Sequence, residues 1–272
     1  MRILLFLLVG TLSLSSCQKN KITGRNQLML VSESEVNAMA LQEYKSFLSQ
    51  NPVVPKGSTP EQQMVTRVGQ RIASAITSYY SKQGKSELLN GYQWEFNLVQ
   101  SKEVNAWCMP GGKVVVYTGI LPVTQTETAL AVVMGHEIAH ALALHGNERM
   151  SQGLAQQLGG AALSVALSSK PAETQQLFMA AYGIGSNVGV LLPYSRKQEL
   201  EADQYGLIFA AMAGYNPQEA VSFWQRMASM SGGQKPPELL STHPSDQTRI
   251  EKVQQYAKQA MKYYKPGTQR AK

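Results

Sequence analysis

Gly135-His136-Glu137-Ile138-Ala139-His140 decides how this chain is read. It is an H-E-x-x-H sequence inside a helical run. His136 and His140 are four residues apart, so on an α-helix they project from one face, one turn above the other. Two imidazole nitrogens so placed can hold one zinc ion. Glu137 lies on the flank of that face, within reach of a metal-held water but not a ligand itself. From Ala129 to Leu144 the residues are mostly Ala, Val, Leu, Met and Ile, and Glu137 is the only acid. A lone carboxylate is costly to bury in such a helix, and a zinc-held water beside it removes the difficulty. The bland alternative is a pair of core histidines that met by chance. It fits poorly with a chain that has only four histidines.

A catalytic zinc takes three protein ligands and keeps one position open. The extension H-E-x-x-H-x-x-G-x-x-H is absent, because Ala143 and Gly146 stand where its Gly and His belong. His145 is read as structural, five residues beyond His140 on another part of the helix. The remaining option is a carboxylate from a later helix. Arg196-Lys197-Gln198-Glu199-Leu200-Glu201-Ala202-Asp203 offers three acids. Glu199 and Asp203 share a face, whereas Glu201 is turned about 200° from Glu199. A ligand carboxylate with a second acid one turn on suits a zinc site, since the second acid can accept the spare N–H of a ligand histidine. Glu199 is therefore expected as ligand and Asp203 as its outer partner, with Glu201 the fallback.

Working outward, Ser32-x-x-Glu35 predicts a first helix, and Thr59-Pro60 opens a second. Trp94, Phe96 and Leu98 alternate with polar residues as in a half-buried strand. Asn105 to Pro110 reads as irregular, Gly111-Gly112 as a turn and Lys113 to Thr118 as a second strand. That strand is a plausible edge for an extended substrate. Thr124-x-x-Glu127 predicts the cap of the zinc helix. Residues 150–192 read as a helical hairpin broken near Pro171 rather than two membrane spans, because glutamines, serines and glycines interrupt them. Ser195 is expected to cap the next helix, Asn216-Pro217 to start another, and Pro244 to start the last.

These segments together resemble the zinc metallopeptidases related to HtpX, the Oma-type and the CAAX prenyl endopeptidases, in particular their periplasmic BepA-like and LoiP-like branch. The resemblance rests on Asn105-Ala106 through Pro110-Gly111-Gly112, Tyr117-Thr118-Gly119, His136-Glu137-Ile138-Ala139-His140, Glu199-x-x-Ala202-Asp203, and His243-Pro244 followed by Arg249. It implies Glu199 as ligand, in agreement with the spacing, and one Zn2+ per chain. It implies substrate contacts at Asn105 and Ala106, and an Arg249 that fixes either the His243 loop or the substrate. It also places His243 beside the metal, either donating to an oxyanion or acting as a fourth, latency ligand. The fold expected is α+β and predominantly helical: a gluzincin-type zinc peptidase domain with a small sheet beside the H-E-x-x-H helix. Membrane spans of the kind found in the HtpX and prenyl-endopeptidase branches are missing, which argues against prenylated substrates.

The ends give an address. Arg2 and the apolar run Ile3–Val9 form a short export signal. Leu14-Ser15-Ser16-Cys17 resembles the bacterial lipobox, in which the cysteine thiol carries a diacylglycerol. The expected organisation is a signal peptide over 1–16, a tether over 17–31 and one zinc metallopeptidase domain over 32–272. The expected location is the bacterial cell envelope, lipid-anchored at the periplasmic face of the outer membrane. With Cys17 acylated, Cys108 has no disulfide partner in the chain. The 272 residues are 43 % hydrophobic, with a net charge of +7. No arginine-rich stripe with interleaved aromatics occurs, so nucleic acid is not the expected partner. A basic surface suits an anionic membrane. The function expected is a zinc-dependent endopeptidase acting on unfolded or misassembled envelope polypeptides. The rivals are an assembly factor with little turnover and an exopeptidase on the same motif.

Overall fold

Ser32 opens the first helix as its pattern requires. In a computed structural model of the chain, Glu35 N donates to Ser32 Oγ at 3.3 Å and Ser32 N to Glu35 Oε2 at 3.1 Å, the reciprocal pair of a capping box. The structure describes residues 17–170, 192–230, 239, 243 and 247–266, with a few positions between 172 and 182. The chain forms two compact units. One joins the N-terminal residues through Val36 to Leu144–Gln198; the other joins Asn37–Ala143 to the chain from Glu199 onward.

The second unit holds the H-E-x-x-H helix. It contains most of α1 (Glu33–Gln50), then α2 (Pro60–Lys82). Thr59 caps α2 by accepting from Gln62 N at 3.1 Å, with Pro60 in its first turn. Of its strands, β3 (Glu95–Val99) pairs parallel with β5 (Lys113–Tyr117), and β4 (Ala106–Met109) pairs antiparallel with β5 from the other side. The order β3-β5-β4 makes β5 central. This corrects the expectation that Lys113–Thr118 is an edge. Val114, Val115 and Val116 are fully buried, as a strand covered on both faces must be. The edges are β3 and β4. β4 itself corrects the irregular reading of 105–110.

Helix α3 (Glu127–Leu142) is buried from Ala129 to its end. Its cap is Thr126, whose Oγ1 accepts from Ala129 N at 3.0 Å, and not Thr124. Leu121–Thr124 forms a helical turn of its own, ended by Gln125 at φ 61°. After α3, Leu144 takes a left-handed backbone, φ 57°. His145 therefore starts a new helix rather than continuing the zinc helix, a correction to its expected place. Helix α5 (Leu192–Met212) starts ahead of the expected cap Ser195, and Gly214 follows it at φ 84°. Then come α6 (Glu219–Ser229) and α7 (Gln247–Ala260). The expected start of the last helix at Pro244 lies outside the described residues.

What sets the site is the crossing of α3 and α5. A Cβ on Gly135 would meet Gly206 O at 2.6 Å, and one on Gly206 would meet His136 N at 2.7 Å. The two backbones touch, which only glycine permits on both sides. This contact carries His136 and His140 to within ligand reach of the acids on α5.

The first unit contains a hairpin of β1 (Cys17–Lys19) and β2 (Asn26–Leu28), and helix α4 (His145–Leu167). The hairpin lies within the stretch read as a tether. It is fastened by a buried carboxylate. Arg25 Nη1 and Nη2 donate to the two oxygens of Glu148 at 2.5 and 2.6 Å, and Gln198 Nε2 donates to Oε2 at 2.8 Å. The expected break near Pro171 falls on residues outside those described. No helix among the described residues is long and apolar enough to cross a membrane.

Candidate metal centre

Four side chains converge in the second unit. His136 and His140 come from α3, Glu199 from α5, and His243 from a bend ahead of α7 in sequence. His140 Nε2 and His136 Nε2 are 3.0 Å apart, and His136 Nε2 and His243 Nδ1 3.2 Å. Glu199 Oε2 is 2.9 Å from His243 Nδ1 and 3.4 Å from His136 Nε2, while Oε1 is 3.4 Å from His140 Nε2. All four residues are buried, and one ligand atom from each lies within 4.8 Å of all the others.

The donor set fits zinc. It is imidazole nitrogen and carboxylate oxygen, the set that zinc takes, and the Arg249 guanidinium approaches it only at Glu199 Oε2, at 3.2 Å. The ring nitrogens converge at 3.0 and 3.2 Å, and which of them donates depends on the tautomer of each ring. Glu199 Oε1 is buried and accepts no hydrogen bond, an oxygen placed for a cation. The field also calls for positive charge. Burial lowers the affinity of His136 for a proton, yet Asp203 and Glu199 outweigh it and push the ring up to about 9. Burial opposes the charge of Glu199 too, but the three histidine rings hold its carboxyl far below the usual range. A metal ion answers the same field as a proton.

Asp203 stands one turn beyond Glu199 on α5. Its Oδ1 is 3.0 Å from His136 Nδ1, an acid placed to favour a proton on Nδ1 and so leave Nε2 for the cluster. Burial opposes the ionised form of Asp203, and Arg249 overrides it and lowers the carboxyl. Arg249 is itself buried. Nε and Nη2 donate to the two Asp203 oxygens at 2.7 and 2.9 Å, and Nη1 to His243 O at 3.0 Å. Its guanidinium lies over the Trp224 ring, 4.1 Å from the centroid. Of the two roles expected for Arg249, holding the His243 segment or the substrate, its contacts match the first: its donors turn inward, to His243 O, Asp203 and Glu199.

Glu137 is buried on the flank of α3, with Oε1 3.6 Å from His243 Nε2, and lies outside the group of four ligands. Glu201 is also outside that group. Asn105 Oδ1 accepts from Ala106 N at 2.9 Å, and Asn105 O accepts from Tyr117 N at 3.1 Å. Ala106 opens β4 with its side chain buried. Asn105 and Ala106 thus stand at the start of the edge strand nearest α3 in the sheet order. Cys17 is exposed in the other unit. Burial pushes the Cys108 thiol up, and the charge of Glu137 adds to it, which disfavours the thiolate.

Sequence reasoning missed Trp224, which meets the His136 ring edge-on at 6.0 Å and stacks under Arg249. A tryptophan in an amphipathic helix carries no ligand signature. It missed the Gly135–Gly206 contact for a similar reason, since neither glycine stands at a turn.

The profile described as Peptidase family M48 matches residues 61–257. Among curated proteins, the mitochondrial metalloendopeptidase OMA1 of Schizosaccharomyces pombe is 33 % identical over 244 residues, covering 88 % of this chain and 66 % of that protein. OMA1 of Saccharomyces cerevisiae is 30 % identical over 272 residues, covering 96 % and 75 %. The beta-barrel assembly-enhancing protease of Yersinia pestis is 28 % identical over 194 residues, covering 68 % and 39 %. The chain thus spans just under two thirds of the first of these relatives, and less than half of the last.

Proposed function

The chain belongs to peptidase family M48, whose members are zinc metallopeptidases, and on that premise we propose that it is an endopeptidase of the bacterial cell envelope. Its proposed substrates are unfolded or misassembled envelope polypeptides. The observation that carries the reading is the convergence of His136, His140 and Glu199 beside a buried Glu137 that is not a ligand. That is the division of labour peptide hydrolysis needs: a metal cradle and a separate base.

His136, His140 and Glu199 would hold the zinc. Bound there, the ion would supply Lewis-acid polarisation of a carbonyl and a water of pKa lowered toward about 7. Glu137 takes the proton of the attacking water and delivers it to the leaving amine. Asp203 keeps His136 in the ligating tautomer, and Arg249 keeps Asp203 ionised. An extended substrate pairs with the outer edge of β4, where Asn105 and Ala106 start the strand. Main-chain pairing of that kind accepts many sequences and requires an unfolded segment, which suits a quality-control substrate.

The lipobox at Cys17 supports an envelope location, as does likeness to a bacterial protease named for β-barrel assembly. Lipid attachment at Cys17 would hold the enzyme at the periplasmic face of the outer membrane. The position of His243 favours a second reading, an assembly factor with little turnover, because its ring stands at ligand distance from Glu199 and His136.

The test is Glu137→Gln. It should retain zinc and lose cleavage of an unfolded protein that the parent cuts at internal sites. Trimming from the termini alone would make the parent an exopeptidase. Absence of cleavage by a zinc-loaded parent would favour the assembly factor. Cys17→Ala should leave the membrane fraction after export.

A further inference from the structure

Helix α4 carries an apolar face that none of the described residues covers. Met150, Leu154, Leu158, Ala161 and Val165 fall within about 80° of one another around the helix. All are exposed, Leu158 by 67 % and Val165 by 75 %. The stripe runs about 22 Å. Residues 150–169 contain no charge, and the exposed cations Arg149 and Lys170 stand at the two ends. The flank of α4 away from the stripe is occupied: Tyr182 Oη donates to Gln156 O at 2.9 Å and closes over Gly159. Among the described residues, one side of α4 is packed and the stripe is bare.

We propose that this face of α4 lies on an anionic lipid surface, parallel to it. Two further observations choose lipid over a protein partner. The first is charge. Lys19 and Lys21 of the hairpin are exposed along with Arg149 and Lys170, whereas the acid beside Arg149, Glu148, is buried and neutralised by Arg25. An uncharged apolar band on a compact unit whose exposed cations, including Lys19, Lys21, Arg149 and Lys170, outnumber its exposed acids Glu33 and Glu35 among the described residues matches acyl chains beneath anionic headgroups. The second is the place of Cys17. Its hairpin is bound to the first two turns of α4 by Arg25 and Gln27 on Glu148, by Leu30 N donating to Ser151 Oγ at 2.9 Å, and by Asn147 Nδ2 donating to Val31 O at 3.0 Å. This part of the inference rests on lipid attachment at Cys17. An acyl chain there would bring the same compact unit to the bilayer, and α4 would restrict how the anchored protein rotates on it. The helix is not apolar enough to span, so it lies on the surface.

The test places a photoreactive benzoylphenylalanine at Leu158, Val165 or Ala166 in the full chain. Each protein is reconstituted with vesicles of phosphatidylethanolamine and phosphatidylglycerol and illuminated. Ala166 sits about 120° from the middle of the stripe. Phospholipid adducts are expected at 158 and 165, in yields about tenfold above those at 166. The mass of the N-terminal peptide reports acylation of Cys17 separately. Lipid adducts without acylation would support the docking face and remove the anchor. Acylated protein that floats with vesicles yet gives no lipid adduct at 158 or 165 would overturn the docking face and leave the anchor standing. Adducts to a second copy of the chain or to an added unfolded polypeptide, in place of lipid, would also overturn it.

Discussion

Arg249 grips both carboxylate oxygens of Asp203, at 2.7 and 2.9 Å, with the two side chains almost wholly buried. The pair adjoins the metal cluster: Asp203 faces His136 Nδ1 at 3.0 Å, and Arg249 Nη2 also lies 3.2 Å from Glu199 Oε2. Through it α7, α5 and α3 meet at one point, and Trp224 of α6 closes the guanidinium from its other face. A lysine keeps the charge but cannot make the two-pronged contact. Arg249→Lys should therefore weaken zinc binding about tenfold, the scale of outer-partner changes, and lower the unfolding midpoint. A zinc-competition titration and a melting curve measure the two effects. Arg249→Lys with parental zinc affinity would show that Asp203 orients His136 without help.

Zinc should bind at about one ion per chain, the number one three-ligand site holds. Metal analysis of Glu199→Ala should show it lost, and of Glu201→Ala should show it kept. The structure motivates this through the 3.4 Å approaches of Glu199 to both zinc-helix histidines. Loss in Glu201→Ala alone would reassign the ligand.

Local chemistry was legible in the sequence where one helix carries it. His136 and His140 are recognisable because their spacing is that of a helical turn, and Glu199 with Asp203 for the same reason. The caps at Ser32 and Thr59 were legible too, since a capping side chain bonds within three residues. What stayed hidden depends on partners distant in sequence. Nothing in Lys113–Tyr117 says that β4 and β3 flank it. Ala106-Trp107-Cys108-Met109 lacks the alternation that marks a strand. Gly206 reveals its purpose only when Gly135 is laid against it. Thr124 and Thr126 both suit a cap, and the left-handed Gln125 between them decides which one serves.

The start of the zinc helix should show a pH-dependent contribution to stability. Glu127 receives Arg67 Nη2 at 2.6 Å and the Tyr215 hydroxyl at 2.8 Å. Burial alone would raise its carboxyl, but Arg67 and Tyr215 outweigh burial and hold it below the usual carboxylate range. A group lowered on folding contributes stability above its unfolded value of about 4.3 and loses it as the pH falls through the folded value. Glu127→Gln should cost about 1 kcal/mol at neutral pH. The parent and the variant should converge in acid. Urea unfolding at several pH values measures this, and a gap that persists below the folded value would mean the carboxylate charge is not its source.

His243 is the residue on which activity should turn. Its backbone N donates to Leu239 O at 2.8 Å, and its carbonyl accepts from Arg249, so the loop is held from both ends of the residue. The ring then stands 2.9 Å from Glu199 Oε2 and 3.2 Å from His136 Nε2, and its Nε2 faces Glu137 at 3.6 Å. A ring in that position fills the place that water and a substrate carbonyl need, and it crowds the base as well. Three ligands suffice to keep zinc. His243→Ala should therefore retain the metal and cleave an unfolded protein faster than the parent. An oxyanion donor would behave in the opposite way: its loss would cut turnover by about a hundredfold or more with zinc retained. Cleavage rate and zinc content measured on the same preparation separate the two roles. Parental activity in His243→Ala would assign the ring neither, leaving it to fix the loop through its backbone alone.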